Sequence, residues 1–540
     1  MIFIQTFESQ YVKYATTGYL QVLLFTLNKK IPDLLFALNK SMYFLLSILN
    51  KSYICHSINQ RMDSLFIKQE RLLAQTSTHI IRELMNQIHW DNPLIAIRGS
   101  RGVGKTTLML QYIKLNFQPG SREVLYCTLD SIYFSNHTLS ELIERFYLQG
   151  GKQLFLDEVH KYPTWSKEIK EAYDLYPSLR IVFSGSSLLN ILNADADLSR
   201  RCLPYNMYGL SFREFLMFYK QIDIPVYSLQ TILENPGNIC REINEKCRPV
   251  QMFNEYLHEG YYPFFTGNRE DYYINIENVV NLIIEQELPL LCGVDPAYTR
   301  KLKALMGILA TSVPYELDIT KLAGMIGLSR NSVINYLQNL DKAELLKLLY
   351  SDLLSVKKMQ KPDKIYLQNP NLLYAIASAP VQIGTARETF VVNQLSVNHN
   401  VEYGKTKGDF IVDHTYTFEV GRADKTFKQI ADLPDSFILA DNMEFASGKK
   451  LPRWIVGLTY EKNTYDFFFR KKRYPACRRI PLFIYLYRSR NQQRGLICLK
   501  KSLPLLSTKI NAGKFSTSIF QIASIPNSGY STHSMLLILF

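Results

Sequence analysis

Leu94-Ile-Ala-Ile-Arg-Gly-Ser-Arg-Gly-Val-Gly-Lys-Thr-Thr107 is the stretch on which the fold turns. Asp91-Asn92-Pro93 breaks the chain just before it, and Leu94–Ile97 then reads as a short buried strand running into Gly99. After Lys105, apolar Leu108, Leu110, Tyr112, Ile113 and Leu115 fit a helix. Strand, glycine loop and helix together give GxxxxGK[ST] its meaning as a phosphate-binding loop. Gly99, Gly102 and Gly104 let the backbone curl so that its N–H groups face phosphate oxygens. The following helix adds the positive end of its dipole. Gly99, Ser100, Arg101, Gly102, Val103, Gly104, Lys105, Thr106 and Thr107 are therefore the predicted nucleotide-binding residues. Lys105 should reach the β- and γ-phosphates of ATP, and the Thr106 hydroxyl should ligate Mg²⁺.

A second element lies about fifty residues downstream. Gln153–Leu156 is a short apolar run ending in Asp157-Glu158. Two carboxylates at a strand's C-terminal end are where an open α/β sheet places its site. Asp157 is expected to hold Mg²⁺, and Glu158 to orient or deprotonate an attacking water. Arg180–Phe183 reads as another buried strand, leaving polar Ser184-Gly185-Ser186-Ser187 at its end; if the chain resembles ATPases of the AAA+ type, a polar residue here would sense the γ-phosphate, with Ser184 favoured over Ser186. Leu198-Ser199-Arg200-Arg201 offers a candidate arginine finger, Arg201 being the candidate named although the choice between it and Arg200 stays open, with a solvated or structural cation as the other reading.

Charge is distributed unevenly. Residues 467–540 hold thirteen Lys and Arg and no acidic residue, and residues 1–61 hold six basic against two acidic. The stretch 62–466 carries 43 basic and 46 acidic residues, so the formal +14 is no sign of a basic groove in the body of the chain. The eight cysteines contain no CxxC pair, which argues against a metal–cysteine site and for free thiols.

With these blocks in place the chain resembles a bacterial and archaeal family of AAA+-like P-loop ATP-binding proteins. Its members carry a C-terminal domain of unknown function related to the PD-(D/E)xK nuclease fold. The resemblance rests on 99–107, Leu154-Phe-Leu-Asp-Glu-Val-His160, Phe183-Ser-Gly-Ser-Ser187, Asp197-Leu-Ser-Arg-Arg201, Gly209-Leu-Ser-Phe-Arg-Glu-Phe215 and Tyr256-Leu-His-Glu-Gly-Tyr-Tyr-Pro263, and covers about 62–460. It implies an α/β fold: a P-loop NTPase core with a parallel sheet, then a helical lid, a winged helix-turn-helix and a nuclease-like α/β domain. The corresponding ranges are 62–225, 226–300, 301–380 and 381–466.

The residues of the later segments carry their own signals. Glu277 to Leu288 reads as a helix that Pro289 should end. Ile319–Ile326, a turn at Gly327, an N-cap at Ser329 and Arg330–Leu340 read as helix-turn-helix, with Val333, Leu337 and Leu340 facing its core. Leu345–Tyr350 and Lys364–Leu367 read as wing strands. The second helix offers only Arg330, with Lys342 beyond it, which favours packing or a protein partner over DNA. Glu388, Gly408-Asp409-Phe410 and Phe418-Glu419-Val420-Gly421 resemble the nuclease pattern. Gly421 stands where that pattern wants Lys, so a degenerate, non-cleaving module is expected. Lys425, Phe427, Lys428 and Ile430 suggest a helix over the sheet.

The two ends fit none of this. In 1–61, Lys29, Lys30, Asp33 and Lys40 interrupt the apolar runs before they reach the roughly 18–20 residues that span a bilayer. No secretory signal is recognisable, and a membrane-surface helix or an extension ahead of Met62 stays open, the latter preferred. The tail 467–540 reads as disordered or non-native, with a nucleic-acid-binding tail as the alternative. The composite expectation is a cytoplasmic ATPase using ATP and Mg²⁺, without a transmembrane segment. Its rivals are a DNA-binding or DNA-processing enzyme and a nucleotide-gated binding module with little turnover. Oligomeric state and partner stay open.

Overall fold

The computed structural model describes residues 62–188, 198–311, 315–316, 318–351 and 361–459. The readings placed on 1–61, Asp197 and 467–540 lie outside these residues.

Five parallel strands, β1 (Leu94–Arg98), β2 (Val124–Thr128), β3 (Gln153–Asp157), β4 (Arg180–Gly185) and β5 (Leu203–Asn206), form a sheet of order β2-β3-β4-β1-β5. Their sequences are near-continuous apolar runs because both faces are covered. Leu94, Ala96, Leu125, Leu154, Leu156, Ile181 and Phe183 pack towards α2 (Leu139–Leu148) and α3 (Trp165–Leu175). The alternate set, Ile95, Ile97, Tyr126, Phe155 and Val182, packs with Leu108, Met109 and Ile113 of α1 (Lys105–Asn116). The two-residue side-chain period decides which polar groups meet. Tyr126, Asp157 and Ser184 share the parity of the set that faces α1, so they emerge on the side of the sheet that carries the phosphate loop.

From its sequence Arg71 to Ile88 reads as one amphipathic stretch ahead of the Asp91-Asn92-Pro93 break, but it is not one helix. A helix over 62–75 stops, and a short one, Leu84–Gln87, follows. The break turns Arg82 inward, where Nε meets Glu214 Oε1 at 2.7 Å and the remaining nitrogens donate to the carbonyls of Val103, Tyr208 and Gly209. Glu214 itself closes a capping box with Ser211 at the start of α4 (Phe212–Lys220). Burial pushes the Glu214 carboxyl up, but Arg82, Arg213 and the Ser211 amide outweigh it and hold it below the usual range. Removing one member of such a pair strands a buried charge at a cost of about 3–5 kcal/mol. Arg82→Ala should therefore lower unfolding stability by about that amount in a denaturant titration; a loss under about 1 kcal/mol would contradict this packing.

Helix α4 packs away from the parallel sheet. Phe212 and Phe215 join Phe253 and Tyr256 of α5 (Pro249–Glu259), and Phe390 and Trp454 further on, in one core. That core also holds the inner face of a second sheet, order β13-β12-β11-β10-β9, formed by β9 (Val401–Tyr403), β10 (Phe410–Val412), β11 (Tyr416–Gly421), β12 (Ser436–Ala440) and β13 (Lys450–Pro452). β9, β10 and β11 are antiparallel neighbours, and β11, β12 and β13 run parallel.

A third core runs from Tyr261 to Ala386. Its long helix α6 spans Arg269–Leu282, continues through a π turn at Ile283–Glu287, and leads into Leu288–Cys292. Pro289 therefore does not end it. The widened turn re-routes the backbone bonds just where Pro289 contributes no N–H, and Gly293 closes the run in the left-handed region. Next come α7 (Ile319–Ile326), a left-handed Gly327 and α8 (Arg330–Lys342), capped by Ser329. β6 (Tyr315–Glu316), β7 (Leu346–Leu349) and β8 (Lys364–Leu367) form an antiparallel sheet of order β6-β8-β7. Val333, Leu337 and Leu340 are buried, as expected. Over β11 the expected helix is only a one-turn 3₁₀ segment, Phe427–Gln429, before Leu433 and Pro434 redirect the chain into β12. No helix of the described residues is long and apolar enough to cross a membrane.

Candidate nucleotide site

Glycine is required in the loop for two different reasons. A Cβ on Gly99 would lie 2.1 Å from the Met207 carbonyl oxygen, so the loop's first residue serves a close backbone approach to the end of β5. Gly102 has φ +84° and would meet the Phe264 ring at 2.8 Å, so it needs both left-handed backbone and an absent side chain. Phe264 belongs to the segment after Tyr262-Pro263, which thereby packs on the loop. That contact gives the Gly260-Tyr-Tyr-Pro263 block a physical purpose.

α1 begins at Lys105 with Gly104 at its N-cap. Lys105 is buried, and its ammonium donates to the carbonyls of Gly99 at 2.8 Å and Ser100 at 3.0 Å. Thr106 Oγ1, one residue on, donates to Asp157 Oδ2 at 2.6 Å. Asp157 is the collecting point of the site: the Tyr126 hydroxyl reaches the same oxygen at 2.7 Å, while Ser184 Oγ and the Glu158 amide approach Oδ1. β4 lies between β1 and β3, pairing Ile97 with Ser184 and Leu156 with Phe183, so Ser184 stands between the loop and the acidic pair. Buried beside Asp157, the Tyr126 hydroxyl is pushed well above its ordinary range and stays protonated as a donor.

The residues expected at 99–107, Asp157, Glu158 and Ser184 thus converge at the C-terminal ends of β1, β3 and β4. Ser186 is separated from Ser184 by partner: its hydroxyl bonds the buried Glu287 of the π turn, whose other oxygen lies 3.6 Å from Arg101. Thr107 is exposed on α1. Arg201 is held by Asp174 of α3, with a 3.1 Å ion pair, and lies over the Tyr173 ring. Both contacts are to side chains of α3.

Glu158 takes the left-handed backbone conformation, φ +54°, and its carboxylate lies 3.3 Å from His160 Nε2. Burial drives the His160 pKa down to about 4, against a raising influence of Glu287 and with Lys161, Lys105 and Arg101 adding to the fall. A neutral His160 in the fold and an unfolded pKa near 6.5 make its contribution to stability complete above about pH 6.5. That contribution should disappear as pH falls from 6.5 through 4. The unfolding midpoint of His160→Phe, followed over this window, should fall less steeply with acid than the parent's; equal slopes would exclude His160 as the source.

Tyr126, Arg82, His160, Glu287 and Glu344 were not among the sequence-predicted site residues. Arg82 and Tyr126 could be found only from the sheet parity and the helix break. Glu214 was accessible in principle, since Ser211-Phe-Arg-Glu214 is a capping-box pattern.

At the edge of β10, Asp409 accepts the Val420 amide at 2.7 Å, while Glu388, on the helix Ile383–Leu395, accepts the hydroxyl of Tyr366 in β8 at 2.6 Å. Lys425 Nζ lies 2.6 Å from Glu419, and a Cβ on Gly421 would meet the Lys425 side chain at 3.0 Å. Lys425 therefore fills the space beside Gly421. Burial, helped by the nearby Asp409, outweighs the opposing Lys425 contact and leaves the Glu419 carboxyl above its usual range. Among the described residues, no group of three or more His, Cys, Asp or Glu is arranged to hold a metal ion.

Residues 91–216 match the family model of an AAA domain. Two uncharacterized proteins of Methanocaldococcus jannaschii are similar in sequence. One is 28% identical over 369 residues, covering 62% of this chain and 77% of the relative. The other is 27% identical over 274 residues, 48% of this chain and 56% of that relative. Among solved structures, C. elegans PCH-2 aligns at 14% identity with a TM-score of 0.20, over 51% of this chain and 68% of its own. A DNA polymerase III gamma subunit-related protein of Thermotoga maritima aligns at 11% identity and a TM-score of 0.22, over 52% and 97%.

Proposed function

We propose that this chain binds ATP with Mg²⁺ at 99–107 and hydrolyses it, and that nucleotide state alters the segments that follow the parallel sheet. The observation that carries the reading is the 2.6 Å contact between Thr106 and Asp157, which joins the start of α1 to the end of β3. A hydroxyl and a carboxylate at hydrogen-bond distance are an oxygen donor pair suited to Mg²⁺, a hard cation that binds through few protein ligands and phosphate. Bound there, the ion would neutralise charge on the phosphates. Lys105 is placed to exchange its loop carbonyls for phosphate oxygens. Tyr126 and Ser184 fix the Asp157 carboxylate, and Ser184 would be the group that reports on a γ-phosphate. Glu158 is the general base or water-orienting residue, with His160 neutral beside it.

Phosphate release from ATP by the full chain, with Mg²⁺ and with excess EDTA, tests the proposal. Turnover that needs Mg²⁺ supports it; no turnover in either condition rejects hydrolysis. Arg201→Ala separates the two readings of that residue. A finger is worth roughly 10³–10⁵ in kcat. Its pairing with Asp174 favours the structural role, for which kcat should change less than about tenfold, a loss far below that finger range.

A second reading, metal-dependent nucleic-acid cleavage at the second sheet, draws support from Lys425 standing beside Gly421 and Glu419. Cleavage lost in Asp409→Ala and Glu419→Ala would establish it, and no cleavage by the unaltered chain would remove it. A docking or signalling role for the helix-turn-helix and second sheet accompanies the preferred reading, with the partner a protein rather than DNA.

A further inference from the structure

Glu344 sits in the turn between α8 and β7, some 240 residues from the phosphate loop in sequence, yet its Oε2 accepts the Ser100 backbone N–H at 2.9 Å. Its backbone is left-handed, φ +57°, and closes α8 through Glu344 N–H to the Asp341 carbonyl and Leu345 N–H to the Leu340 carbonyl. A helix end of this geometry favours Gly or Asn, because a Cβ is strained there. The chain instead places a long carboxylate at that point, and the contact that carboxylate makes is with the loop. Arg98, Lys105 and Lys347 are the cations around it, while burial works against its ionised form. The Glu344 carboxylate and a bound polyphosphate would both be anions drawn to Lys105 and the loop amides.

We propose that Glu344 is a displaceable latch: its carboxylate holds the nucleotide-free phosphate loop through the Ser100 amide, and incoming nucleotide phosphates drive it off, releasing the α8–β7 turn. The like charges repel, and reorganisation of Lys105 away from the Gly99 and Ser100 carbonyls alters the amide that Glu344 grips. α8 and β7 share the third core with Tyr261 and Tyr262, next to the Pro263–Phe264 cover of the loop, so the turn's release acts on packed elements rather than on a free tail. The latch rests on nucleotide binding at 99–107.

Hydrogen–deuterium exchange on the full chain tests it, with Mg²⁺ and a non-hydrolysable ATP analogue as the probe and equilibrium binding of the same analogue measured in parallel. In the parent, the analogue should raise exchange across 341–349. Glu344→Gly, which suits the left-handed backbone, should show that raised exchange without nucleotide and bind the analogue at least fivefold more tightly. Glu344→Gln keeps an acceptor without the charge and should fall between the two. If the analogue binds the parent but exchange at 341–349 is unmoved, or if Glu344→Gly binds equally or more weakly, the latch is wrong while the nucleotide site stands. If the parent binds no analogue, the underlying site fails and the latch with it.

Discussion

Lys105→Ala should weaken Mg·ATP binding by about 100-fold or more, equivalent to roughly 2.7 kcal/mol. The ammonium is already buried at the loop, held by the Gly99 and Ser100 carbonyls 2.8 and 3.0 Å away. Its desolvation therefore belongs to folding and not to binding, and charge-assisted bonds to phosphate are about twice as strong as neutral ones. No other cation of the loop can substitute, since Arg101 faces Glu287. Circular dichroism of the same protein separates the loss of a phosphate ligand from the loss of the fold. An affinity within threefold of the parent would mean that Lys105 is not a phosphate ligand.

The second large effect is expected at Glu158. Glu158→Gln should reduce kcat by about 10²–10⁴ while leaving nucleotide affinity within about threefold. The substitution is nearly isosteric, and the Glu158 backbone amide still reaches Asp157 Oδ1 at 3.0 Å, so the Asp157 carboxylate keeps its donors. What disappears is the base beside His160. A parallel fall in affinity would indicate that Glu158 shapes the binding site and not the chemical step. Undiminished kcat would move the base elsewhere.

The core of the fold was legible because its signals are local. Leu94–Arg98, the loop and α1 follow one another without interruption, and the buried strands that cover both faces announce themselves as apolar runs. Asp157-Glu158 was legible for the same reason, lying at the end of one such run. Ser184 and Ser186 share one parity, and only their tertiary partners, Asp157 for the first and Glu287 for the second, tell them apart. What sequence reading missed is non-local. Arg82 looked like part of an amphipathic helix, and only its distant partner Glu214 explains why the helix breaks there. Pro289 looked like a stop signal, but the π turn before it accommodates the missing N–H. Glu287 and Glu344 come from segments with no phosphate-site motif of their own and reach the loop only through tertiary packing. Lys425 reads from sequence as part of a helix over the sheet; its ammonium instead lies 2.6 Å from Glu419, on an irregular segment that only packing defines.

Isothermal titration of the full chain with ATP, in Mg²⁺ and again in EDTA, addresses the phosphate loop most directly. One saturable site per chain, at least tenfold tighter with Mg²⁺, is the expected result. Heats indistinguishable from dilution, or a stoichiometry and affinity indifferent to Mg²⁺, would contradict a Mg·ATP site built from 99–107, Asp157 and Glu158.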